Sequence, residues 1–216
     1  MGDLLTKEEI IFANKLMSLA LANSAVSFSQ MANTDIKLQA AQIQLKPINN
    51  DINPDISVEE KLYMLVSRII GDIPAHSYLV FKPADATKLA MLCLPPSAQN
   101  NDEMQQALQI EMANILTASV VTQLSNFFKV KIFGYIPELK KLTKIELRQG
   151  IEKEMDKENV SFFLKTNFIT PNLQIQPDFI WTFNHIFIDM IKRMAKSEEN
   201  ELYLSQQKEL VAKYIV

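Results

Sequence analysis

The sequence predicts an α+β fold built by duplication: two repeats, each a long helix followed by three strands, sharing one largely antiparallel sheet. Three observations carry this. Two apolar stretches, from about Thr6 to Met31 and from about Asp102 to Phe128, are long enough for helices of many turns. Each is followed by a strand-like run, a hairpin and a shorter helix. A shift of 96 positions lays one half on the other, with Leu19 on Ile115, Ala22 on Ala118, Ser29 on Ser125 and Ile36 on Ile132. The reading is one domain over 1–216, with repeats at about 6–94 and 101–196 and a helical extension at 197–216.

In the first repeat, Thr6 with Glu9 three residues on reads as a capping box. Ile10, Phe12, Leu16, Leu19, Ala22, Ala25 and Phe28 then cover more than half of the helix circumference, which implies burial on more than one side. Ile36–Leu45 alternates as a strand, with a phase shift at Ala40-Ala41 that suggests a bulge. Lys61–Ile70 and Ser77–Lys82 flank the turn Gly71-Asp72-Ile73-Pro74 and read as a hairpin. Pro83 opens a short helix ending near Leu94.

The second repeat follows the break at Leu94–Asn100. After the helix, Lys129–Ile136 is strand-like and ends at Pro137. Glu138–Glu158 is charged and reads as partly helical. Val160–Ile169 and Leu173–Thr182 read as a second hairpin, with Pro177 placing the last strand at an edge or a bulge. Asn184 suits a helix N-cap. Ser197–Val216 reads as one more helix, and docking back on its own domain is favoured over service as a handle for a partner.

Composition removes several function classes. Of 216 residues, 48% are hydrophobic and 22% charged, ordinary globular values, and the net charge of −3 is scattered rather than clustered. That disfavours a nucleic-acid surface. Four glycines leave no Gly-rich phosphate loop. The lone Cys93 excludes an internal disulfide and, within the apolar run Leu89–Leu94, reads as a buried thiol. His76 and His185 have no ligand cluster around them, so no metal site is expected. Trp181, Phe179 and Phe183 alternate at strand spacing and read as core. No signal peptide is evident, and no uncharged apolar stretch reaches the roughly 18–20 residues of a membrane span. A cytoplasmic protein is expected.

Glu111 and Asn114 stand at i and i+3 on the second long helix, so their side chains emerge on one face. Alone, such a pair is ordinary solvated surface. Pro137, 23 positions after Asn114 and just past the next strand, makes the spacing specific, and the stretch Ala113-Asn-Ile-Leu-Thr-Ala-Ser119 adds to it. This pattern resembles the CheC/CheX/FliY family of chemotaxis phosphatases. That family is marked by an acidic or Ser residue, three residues, Glu, two residues, Asn, twenty-two residues, then Pro. Gly71-Asp72-Ile73 is similar to the family's hairpin sequence. Ala107 departs from the leading acidic or Ser position. In the first repeat, Lys15, Ser18 and Ala41 stand where a second copy would have Glu, Asn and Pro, so that site is expected to be inactive.

The resemblance implies a CheC-like fold and dephosphorylation of a CheY-like response regulator, with Glu111 and Asn114 as the catalytic pair and Pro137 structural. It implies no cofactor of the chain's own, since the regulator brings the aspartyl phosphate, Mg²⁺ and a Lys. Flagellar switch or chemoreceptor-array proteins are further partners by the same resemblance, and a homodimer is left open. The rival is a non-catalytic CheC-like interaction module that binds a response regulator or flagellar switch components.

Overall fold

The N-terminal helix forms where its capping box places it. A computed structural model describes residues 5–38, 44–45, 59–154, 162–163, 168–169, 174–175 and 177–216. In it, α1 spans Lys7–Ala32; Thr6 Oγ1 accepts from Glu9 N and Glu9 Oε2 accepts from Thr6 N. Strands β1 (Lys37–Leu38), β2 (Gln44–Leu45), β3 (Lys61–Gly71) and β4 (Ala75–Phe81) follow, then α2 (Pro83–Cys93). The bulge expected at Ala40-Ala41 lies outside the described residues. Helix α3 (Asp102–Phe128) opens the second half, with the Asn101 side chain accepting from Met104 N. After it come β5 (Ile132–Gly134), β6 (Glu138–Thr143), α4 (Lys144–Glu154), β7 (Phe162–Phe163), β8 (Phe168–Ile169), β9 (Gln174–Ile175), β10 (Asp178–Phe183) and α5 (His185–Met194). Asn184 caps α5, as expected.

Every ladder pair is antiparallel, and the order of pairing reads the same from both ends. In the first half β3 pairs with β4, and in the second β8 pairs with β9. The first strand of each half pairs with the second strand of the other: β1 with β8 and β2 with β7, against β5 and β6 with β3. The last strands, β4 and β10, meet between them. Pro177 stands where the chain passes from β9, paired with β8, to β10, paired with β4, a point where the missing N–H costs no ladder bond.

The long helices obey the same two-fold relation in atomic detail. Asn33 ends α1 and Lys129 ends α3, both left-handed (φ 47° and 57°) and 96 positions apart. Thr34 N donates to Ser29 O, and Val130 N donates to Ser125 O. Where the helices cross, Asn23 Nδ2 donates to Gln123 Oε1 at 3.4 Å and Ser27 Oγ meets Ser119 Oγ at 3.1 Å. Position 119 is the counterpart of 23, and 123 of 27. The two contacts therefore exchange partners, as an interface across a two-fold axis must.

Strand alternation sorts the core into two layers. Leu65, Ile69 and Leu79 face α1, α3 and α5 in the main core; Leu62, Met64, Val66, Tyr78 and Val80 face Leu147 and Ile151 of α4. Phe179, Trp181 and Phe183 are buried, with Phe183 stacked on Phe187 at 4.0 Å between centroids, so they are core as expected.

Three expectations need correction. The strand after α3 is three residues long, because the left-handed Lys129 and the Val130–Ser125 bond use the residues before it. The charged segment begins as strand β6, not helix: β3 has eleven residues, and Glu138–Thr143 pairs along its first half before α4 covers the face beneath. The tail is two short helices, α6 (Glu198–Gln206) and α7 (Lys208–Tyr214), joined at Gln207 and packed on α1. It docks in cis. Helix α1 is long and apolar enough by composition to pass for a membrane span (mean hydropathy 1.3), a test that a core helix also meets, and 56% of its most apolar window is buried in the fold.

Candidate functional site

Glu111 and Asn114 are both exposed, while Met112, Ala113, Leu116 and Thr117 on the same turns are buried. The pair stands clear because α3 is amphipathic here, with its inner face spent on α1 and the sheet. Asn114 rims a groove of about 330 Å³ floored by Thr117, Ala118 and Val121 of α3 and walled by Phe133, Gly134 and Tyr135 of β5 and its extension. Phe133, Tyr135 and Ile136 are 60, 55 and 79% exposed, an apolar patch beside two polar side chains. Pro137 is buried between β5 and β6.

Three devices hold the groove's two sides in register. Thr117 Oγ1 and Ser77 Oγ share a buried hydrogen bond of 2.8 Å that ties α3 to β4. Gly134 lies against Thr117: a Cβ there would sit 3.6 Å from Thr117 Cγ2. The start of β5 is clamped by the β3–β4 turn, where Asp72 N donates to Lys131 O and Lys131 N donates to Asp72 Oδ2. Gly71 is required at that clamp. Its φ is +110°, and a Cβ would lie 2.0 Å from Lys131 O. The Gly71-Asp72 pair singled out in the sequence thus fixes the start of the strand that walls the site, with Lys131 standing 59 positions after Asp72.

The sequence reading named Glu111, Asn114 and Pro137 but missed Thr117, Phe133, Gly134 and Tyr135. Phe133 and Tyr135 do alternate with buried Ile132, the one local sign that they point outward. In the first half, Lys15 is exposed and paired with Glu201 of α6 at 2.5 Å, and Ser18 is half-buried. Ala41 lies outside the described residues. Elsewhere, burial pushes the Cys93 thiol up to about 11, which leaves little thiolate for a nucleophile at neutral pH. Among the described residues no three His, Cys, Asp or Glu side chains gather as metal ligands.

No protein-family model and no curated protein matches the sequence. Solved structures do match in shape. FliY of Thermotoga maritima superposes with a TM-score of 0.63 at 15% identity, over 94% of this chain and 98% of that one. The FliM middle domain of H. pylori gives 0.60 at 11%, over 88% and 100%. CheX of Desulfovibrio desulfuricans gives 0.52 at 12%, over 77% and 98%. The chain has the CheC-like fold that these proteins share.

Proposed function

We propose that the chain acts in chemotaxis signalling by hydrolysing the aspartyl phosphate of a CheY-like response regulator, with Glu111 and Asn114 as its catalytic residues. The observation that carries this reading is the exposure of both side chains on the helix that precedes β5 and the buried Pro137, with Asn114 at the rim of a braced groove. Phosphoryl transfer asks for positioning and charge neutralisation more than for a covalent nucleophile. The Asn114 amide can donate and accept at once, so it can hold a water in line with phosphorus. Glu111 would pair with a cation of the regulator and set the register of helix on active site. The regulator would bring its own phosphorylated aspartate and Mg²⁺.

The test is phosphate release from a phosphorylated CheY-like regulator with and without the purified protein. Asn114→Ala should slow the accelerated rate by roughly tenfold or more while regulator binding changes less, since water orientation contributes on that order. Equal rates for the variant and the natural protein would defeat the mechanism.

A second reading, a non-catalytic module of the flagellar switch, draws on two observations. Ala107 supplies no polar group to the exposed face, and the patch at Phe133, Tyr135 and Ile136 is apolar enough for a protein contact. The FliM middle domain of H. pylori shares the fold. Regulator binding with no acceleration of phosphate release would favour this reading.

A further inference from the structure

The two halves present corresponding faces, α1 with β1 and α3 with β5, and the tail covers only the first. Glu201 of α6 pairs with Lys15, α7 packs along α1 and reaches β1, and the chain then runs out extended. Ile215 forms a parallel bridge with Leu38, and Val216 N donates to Leu38 O at 3.0 Å. Leu210, Val211, Tyr214 and Ile215 pack against the core.

Each residue of that seat has a counterpart 96 positions on. Ser18 and Val26 are half-buried and Ala22 is fully buried, whereas Asn114, Thr122 and Ala118 are exposed. Leu38 is 0% exposed; its counterpart Gly134 is open. The chemistry follows coverage. Val26, on the closed face, is Thr122 on the open one. Among the described residues nothing lies on the second groove, and the backbone edge of β5 away from β3 takes no ladder partner.

We infer that the second groove is a receptor for a partner segment shaped like this chain's own tail but of opposite charge at one point: two short helices in succession, entering an extended apolar end that pairs with β5 at Gly134. Where the tail sets Glu201 against Lys15, the partner sets a basic side chain against Glu111, which is the counterpart of Lys15. Helix-in-groove binding and strand addition to a free edge are both familiar ways to hold a peptide, and here one segment uses both in succession. The inference rests on the reading that this face docks a partner, and it names the form of the docking segment rather than the reaction.

The full-length, isotope-labelled protein is titrated with a synthetic peptide of residues 198–216 carrying Glu201→Lys. Amide shifts are expected at Ala118, Thr122 and Gly134. The unsubstituted peptide should bind about threefold to fivefold more weakly, the range an exposed ion pair confers. Glu111→Lys in the protein should reverse that order. Shifts at Ser18, Ala22 and Leu38 instead would mean that the peptide only exchanges with the tail, and would overturn the inference. So would no shifts at about 1 mM peptide, or equal affinity for both peptides. Turnover without peptide binding refutes the docking inference alone, and peptide binding without turnover refutes the catalytic reading alone.

Discussion

Replacing Gly71 by Ala should do more damage than the same change at Gly134 or Gly150. The new Cβ would stand 2.0 Å from Lys131 O, 3.0 Å from Lys131 C and 3.1 Å from Ile132 Cα. All three are backbone atoms, so no side chain can rotate aside; β5 itself must retreat from β3. A φ of +110° adds strain of about 1–3 kcal/mol for a residue with a side chain. Retreat also breaks the two Asp72–Lys131 hydrogen bonds (2.9 and 2.7 Å), each contributing about 0.5–1.5 kcal/mol. Loss of unfolded-chain entropy returns about 0.4–1 kcal/mol. The net cost is about 1–5.5 kcal/mol, a large share of the roughly 5–15 kcal/mol of a typical domain. Gly150→Ala is the control: it lies within α4 with nothing inside 4 Å of its new methyl, and should stabilise by about 0.5–1 kcal/mol. Urea unfolding of the two variants and the natural protein, with comparable m values, measures both. A Gly71→Ala loss below about 1 kcal/mol would refute the clamp.

Two further outcomes are expected. Lys15→Ala with Ser18→Ala should leave regulator dephosphorylation unchanged within error and stability nearly so, because the Lys15–Glu201 pair is largely exposed and such pairs contribute little; a large loss of turnover would show that the first face takes part. Cys93 should react slowly with a thiol reagent at pH 8 in the folded protein and quickly in urea. Burial raises its folded pKa from 9.0 to about 11, so the fold favours the protonated thiol. That contribution is present below pH 9 and lost as pH rises through about 11, and a stability profile flat across this window would contradict it.

The sequence alone determined what depends on neighbours along the chain. Both long helices, the β3–β4 hairpin and the shared face of Glu111 and Asn114 follow from capping residues and apolar spacing, and these act over a few positions. The 96-residue repeat was legible because it keeps apolar phase even where identity is lost. Contacts between distant segments decided the rest. Glu138–Thr143 is charged and has no strand signature, yet it is a strand because β3 offers it a partner of matching length. The start and length of β5 depend on Lys131 meeting Gly71 and Asp72, 59 positions apart in sequence between Asp72 and Lys131 but adjacent in the sheet. Above all, two nearly equivalent faces leave the helices, and nothing local says which stays open. Lys15 and Glu201 are 186 positions apart. Only folding brings the tail onto the first face, and that placement leaves the face of Glu111 and Asn114 as the one exposed to a partner among the described residues.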